Sequence, residues 1–437
     1  MHLIFKNLVP NLIQLWTHDF KDLGSADDPF VIRPTIWQAV GAAMASCGPT
    51  IPYSFCSCPQ NIANDKSQCT ADTWSFWLQY IAPVILENRF TEDKYYWHFI
   101  DLVKLVRTCL QFEMQKKDIE FVRRGFERWV EKYEQFYYQH DPSRIATCPI
   151  TIHALLHIAD SIDATGPVWT SWAFPMERFC GSIQPAIKNR RFPYASISKY
   201  VTDDARLTQV QVLYNLQDKL SFQANPHPQQ CFLHSNYPTC ILLPPRMATT
   251  PEPSLFKKVI AALATRYDAS ATRVQHICSA ECVRTWGKVR QLDGGDTMHV
   301  AGVIKPLQDS CDATFVWYET LVDKYARQKK RQPEYEMKMF YGQLQHIFVV
   351  SLPSDARLCI TEPTVHILTS IKTCKVEHSN AALDIHYYSK LGGLDILDIT
   401  CIQCVVGRIP CANNSWAIID RSGDLARAFY VPETSDE

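Results

Sequence analysis

Glu177 is the residue whose type and place first suggest chemistry. It lies in "WAFPMERFCGSIQPAIKNRR", Trp172 to Arg191, where four cations, Arg178, Lys188, Arg190 and Arg191, follow within fourteen residues. A carboxylate in the first turn after Pro175 gains about 0.3–1 kcal/mol from the helix dipole, with or without a function. The same place keeps it ionised, as a metal-binding carboxylate must be. Phosphodiester chemistry at a two-metal centre needs several such carboxylates, one ion activating the attacking oxygen and one the leaving oxygen. Spacing alone gives Glu177 no partner.

"TIHALLHIAD" sets His153 and His157 four apart, on one helix face, where two imidazoles could share a metal or grip a phosphate. It lacks the Glu of HExxH, and a pair of boundary histidines is the plainer reading. Cys401 and Cys404 spell CxxC inside "DITCIQCVVGRI", a strand pattern. Residues three apart on a strand face opposite ways, so they do not chelate one ion without a bend. His276, Cys278 and Cys282 in "HICSAEC", and Cys56, Cys58 and Cys69, lack zinc-site spacing and read as buried thiols.

Two basic runs remain. "KNRRFPYASISKY" interleaves Lys188, Arg190 and Arg191 with Phe192 and Tyr194, a mixture suited to phosphate contact and base stacking. "KYARQKKR" holds five cations, Lys324, Arg327, Lys329, Lys330 and Arg331, and no acid. Such runs are usually solvated helix ends; a nuclear-import signal or a phosphate contact is the sharper alternative.

The elements that must carry these residues divide the chain in two. At 437 residues, with 46% hydrophobic and 12% aromatic content, it is large enough for two or three cored domains. The net charge of −1, with 22 basic and 23 acidic side chains in residues 1–222, leaves no global field for a polyanion, so nucleic-acid binding must be local. Seventeen scattered cysteines suit a reducing compartment. No apolar run nears the roughly 18 residues of a membrane span. "MHLIFKNLVPNLIQLW" has a Pro in its apolar stretch and no small-residue cleavage site, unlike a secretory signal. A soluble, intracellular protein is expected.

The fold class expected is α+β. Helices are predicted near 3–17, 35–46, 71–88, 94–112, 149–163, 175–189 and 196–217. The clearest is "DIEFVRRGFERWVEKYEQFYYQ", where Ile119, Val122, Phe126, Trp129, Tyr133 and Phe136 share one face, with Asp118 as its cap. Residues 1–222 form the helical domain. Residues 223–254 are a Pro-rich linker or surface strap, since Pro lacks the N–H of a central strand. Residues 255–335 are a mixed connecting segment opened by the helix "SLFKKVIAALATRY". Residues 336–437 form a small antiparallel β barrel or sandwich, with a hairpin expected at "LGGLD", 391–395.

"MHLIFKNLVPNLIQLW", "CTADTWSFWLQYIAPVIL", "YYQHD", "TCPITIHALLHIADSIDATGPVWTSWAFPMERFCG", "WGKVRQLDGGDTMH", "FYGQLQHI" and "WAIIDRSGDLARAFY" together resemble fungal CACTA-type (En/Spm) DNA transposases. The resemblance runs over nearly the whole chain but reaches only the C-terminal part of such an enzyme. It implies an RNase H-like catalytic core with acidic metal ligands, one directly before the stretch resembling "MHL". It implies Glu177 as the third catalytic acid and metal ligand, with His153 and His157 as the paired histidines beside it. A complete transposase would use Mg²⁺ or Mn²⁺; this fragment alone, short of its upstream acids, is expected to bind none and to leave DNA uncut. Expected partners are DNA at transposon ends and full-length transposase, with no membrane, and the expected compartment is the nucleus. A non-catalytic DNA- or protein-binding module is the alternative. A third possibility is an open fragment whose N-terminal helix, apolar on several sides, has lost its cover.

Overall fold

The structure is a computed structural model. It describes residues 2–21, 23, 25–56, 58–67, 69–189, 191–216, 219–220, 230–247, 251–292, 296–303, 311–325, 331–423 and 425. A π-helical stretch, His2–Leu8, runs into α1, Val9–Trp16. There follow α2, Pro34–Ser46; α3, Ala71–Phe76; a π turn and α4, Ala82–Ile85; α5, Asp93–Cys109; and α6, Lys116–Tyr133. Beyond them lie α7, Ile150–Ala154; α8, Ile158–Thr165; α9, Phe174–Ile183; and α10, Pro193–Leu213. No helix among the described residues is long and apolar enough to cross a membrane.

The predicted face of α6 packs on α5, with Val122, Phe126, Trp129 and Tyr133 buried. Its start is a capping box: Gln115 is the N-cap and Asp118 accepts its backbone N–H at 2.9 Å. Asp118 therefore caps from the third helical position. His98 of α5 stacks on Trp129, centroids 4.4 Å apart, and the two exchange bonds: Trp129 Nε1 donates to His98 O at 2.9 Å, and His98 Nε2 lies 3.1 Å from Trp129 O. The N-terminal helix is covered. Phe5, Leu8, Val9, Leu12, Ile13, Leu15 and Trp16 are all buried, so its many-sided apolar pattern reflects a central element.

The second half is a curled antiparallel sheet with two helices on one face. Its strands are β1, Cys240–Met247; β2, Val283–Gln291; β3, Thr297–His299; β4, Phe315–Asp323; β5, Tyr335–Leu352; β6, Thr364–Asn380; β7, Ile385–Asp398; β8, Ile402–Val405; β9, Gly407–Pro410; and β10, Trp416–Ile419. The order is β1-β2-β5-β6-β7-β10-β9, with β3 on β2 and β4 bridging β5 and β8. The first half of β5 pairs with β4 and its end with β2, so this long strand turns the sheet. At Gly342 a Cβ would meet Lys372 O at 2.8 Å, which is why the crossing point lacks a side chain.

The apolar run "IFVV" is explained by burial on both faces. Ile347 and Val349 join the core shared with the helical half. Phe348 and Val350 pack under α11, Pro253–Arg266, and α12, Ala271–Ile277. A third cluster, including Phe315, Tyr341, Tyr388 and Ile418, draws on β4, β5, β7 and β10.

Three strand expectations are corrected. "LGGLD" is no hairpin: β7 runs straight through it, Leu391 and Leu394 face Cys374 and Lys372, and between them Gly392 and Gly393 stand against Thr373 alone. The glycines make a bulge that bends the strand, without reversing it. "LLPPR" is no surface strap; it is edge strand β1, with Ile241 and Leu242 buried and a cis Pro244–Pro245 bond where its register shifts. An edge position tolerates missing donors. "DITCIQCVVGRI" breaks into a 3₁₀ turn, Ile399–Cys401, then β8 and β9. The sheet thus begins at Cys240, upstream of residue 336.

Acid should loosen this core. Burial holds the His98 imidazole down to about 4, and His366 likewise to about 4. Both take protons more readily unfolded, near 6.5, so their contribution is full above that pH and is lost as pH falls toward 4. For His98 the loss is about 1.4 kcal/mol per pH unit in that window. Urea unfolding at pH 6.5 and pH 5 should show a drop of roughly 2 kcal/mol from this residue, reduced in His98→Gln; equal drops in both chains would contradict it.

Candidate functional site

Pro175 opens α9 and Glu177 occupies its first turn. The carboxylate lies 3.4 Å from His2 Nε2, across the whole helical half in sequence, and both side chains are exposed, Glu177 at 51% and His2 at 68%. The charge of the next residue, Arg178, acts on Asp72 in the first turn of α3. Burial raises the Asp72 carboxyl above the usual range, against the pull of Arg421 and Arg178. Arg421 lies over the rings of Phe55 and Phe76 at 5.5 and 5.4 Å and donates to Phe55 O. Beside it opens a cleft of about 440 Å³ lined by Tyr80, Lys104, Arg107, Asp384, Asp420 and Arg421.

His153 and His157 do converge. Their Nε2 atoms are 3.1 Å apart, and Asp160 Oδ2 stands 3.8 Å from His157 Nδ1. Arg123 of α6 bonds Asp160 and Asp163, and this pairing holds the Asp160 carboxyl below its ordinary range. Helix α7, which carries His153, packs on the π stretch that carries His2. Among the described residues no hydrogen bond or ion pair joins the histidines to Glu177.

A complete transposase would need Mg²⁺ or Mn²⁺ beside Glu177. No group of three or more His, Cys, Asp or Glu able to hold one ion occurs among the described residues. A carboxylate beside an imidazole and an arginine does not fit a pair of Mg²⁺ or Mn²⁺ ions, which take oxygen ligands in number. All seventeen cysteines are free thiols; Cys401 ends a turn, and Cys404 is buried with its Sγ 3.8 Å from Asp420 Oδ1.

Of the cations, Lys188 and Arg191 are exposed at the elbow between α9 and α10, and Arg191 lies over Phe192 at 5.4 Å. Phe192 and Tyr194 are exposed too, Tyr194 at 82%. Neither α9 nor α10 has a buried residue. In the second run Lys324 is engaged by Glu334 at 2.7 Å and Glu336 at 3.8 Å, and Arg331 stacks on Tyr325 at 3.6 Å. Arg190, Arg327, Lys329 and Lys330 lie outside the described residues.

Sequence reasoning did not single out His2, Asp72 or Arg421. Their meeting depends on chain separations that no local spacing encodes. Thr70 caps α3 two residues before Asp72, its hydroxyl accepting the Thr73 N–H at 3.2 Å.

No protein-family model, curated protein or solved structure matches the chain.

The geometry assigns Glu177 no structural duty. Glu177→Gln should change the urea-unfolding free energy by no more than about 2 kcal/mol, the upper sum of an exposed ion pair and a dipole effect. A larger loss would make the residue a fold determinant.

Proposed function

We propose that this chain is transposase-derived, equivalent to the C-terminal part of a CACTA-type DNA transposase, and that it contacts DNA through the arm formed by α9 and α10. The observation that carries the reading is the elbow, where Lys188 and Arg191 stand in solvent among Phe192 and Tyr194, one helix from Glu177. Ammonium and guanidinium groups there neutralise phosphates and the rings offer stacking faces. The resemblance of "WAFPMERFCG" to the transposase motif supplies the link to Glu177.

On this reading Glu177 is the last acid of a catalytic set. Two-metal chemistry needs acids beyond Glu177, so the polypeptide alone is expected to leave DNA strands untransferred. The curled sheet is an accessory module closing toward a small barrel around Phe315, Tyr341, Tyr388 and Ile418. The protein works in the nucleus, on transposon ends or beside a full-length transposase. A protein-binding role for the arm is favoured by its exposed apolar side chains, among them Met176, Phe179, Val212 and Leu213.

The test is duplex binding against salt. Binding at low salt should weaken steeply as salt rises, and replacing Lys188 and Arg191 by Ala should lower the log–log slope by about 2. An unchanged slope, or no binding at 50 mM salt (about the low end of the useful range), would remove the DNA reading and leave the protein-binding one.

A further inference from the structure

Two guanidinium groups of the fold are shut away from water against a carboxylate. Arg144 pairs with Asp28 at 2.9 Å and Arg408 with Asp312 at 2.5 Å, all four side chains 12 or 13% exposed. That is how a charge taken out of water is ordinarily compensated. The cleft between the halves is built differently. Arg107 and Arg421, both partly buried there, are given only backbone carbonyls, Leu383 O and Phe55 O. Among the described residues neither forms an ion pair. Both lie over one ring, Tyr80, at 5.7 and 6.0 Å.

The walls add a third cation and no free counter-charge. Lys104 and Arg107, three apart on α5, share a helix face, and the Lys104 ammonium is 3.9 Å from Asp101. The turn between β6 and β7 contributes Asp384, and the segment after β10 contributes Asp420. These two acids are engaged within their own loops. His386 Nε2 lies 3.2 Å from Asp384 Oδ1. Ser422 donates to Asp420 Oδ1 from its amide at 2.7 Å and from its hydroxyl at 2.6 Å. Phe121 of α6 lines the same cleft at 45% exposure and offers an aromatic ring there.

We propose that this cleft binds a nucleoside monophosphate, with Lys104, Arg107 and Arg421 on the phosphate and Phe121 against the base. A guanidinium can take two phosphate oxygens at once, and an ammonium adds a point charge. The volume of about 440 Å³ falls within the range of small-molecule sites, about 300–1,000 Å³, and such sites favour the seam between two packed units. Among the described residues none of the lining comes from α9 or α10, so the proposal does not rest on DNA binding by that arm.

The experiment is calorimetric titration of the full chain with AMP, inorganic phosphate and adenosine. AMP should bind one equivalent, phosphate should bind more weakly and compete with it, and adenosine should not bind at about 1 mM. Lys104→Gln and Arg107→Gln should each weaken AMP about tenfold. Arg107 also holds Leu383 O, so its variant is read beside its Tm; Lys104, 36% exposed, avoids that complication. Phe121→Ala should weaken AMP and leave phosphate unchanged. Replacing Lys188 and Arg191 by Ala should leave AMP binding intact. No AMP binding at about 1 mM, adenosine binding as tightly as AMP, full affinity in Lys104→Gln and Arg107→Gln, or loss of AMP with the elbow cations would each overturn the proposal.

Discussion

The hydrogen bond from Trp16 Nε1 to the Tyr137 hydroxyl, 3.0 Å long and buried, marks the constraint on which the rest depends. It joins the end of α1 to the turn after α6, 121 residues apart, inside a shell of rings. Phe90 and Phe99 meet the Trp16 ring edge-on at 5.2 and 5.6 Å, and Phe30 meets Tyr137 at 5.1 Å. A buried indole N–H without an acceptor costs about 1–3 kcal/mol, so the pair specifies register as well as adding stability. Once α1, α5 and α6 are locked in this way, α6 offers Arg123 to Asp160 and Asp163 of α8, the helix that follows the histidine pair. The candidate chemistry is thus positioned by a core it does not touch.

The sheet is bound to the same core by polar clasps at its rim. Thr50 Oγ1 donates to Arg408 O at 2.6 Å, Arg107 reaches Leu383 O, and Arg421 reaches Phe55 O. Each guanidinium or hydroxyl satisfies a carbonyl of the opposite half, so the two halves share buried apolar surface without stranding backbone acceptors. Helices α9 and α10, which bury no residue, lie outside this shared core.

What could be read in the sequence followed periodicity. The α6 face, the helices of the first half and the strands β5 and β6 were visible because apolar residues recur at 3.6 or 2. The LGG segment misled because glycine pairs mark both turns and bulges, and the choice is made by the neighbouring strand. The double proline misled because edge strands excuse what central ones forbid. Lys324 looked free in the sequence, while its acids, Glu334 and Glu336, come back to it only through the β4–β5 pairing. The meeting of His2 with Glu177 was illegible, since it is a product of the whole helical half.

The lack of any buried side chain on α9 and α10 has an evolutionary side. Core positions such as Phe126 or Ile347 are fixed by volume, so drift there is penalised by every neighbour. The arm, which meets the body at His2 through Glu177, has no buried position under that restraint. Its exposed side chains can change volume without disturbing the packing beneath.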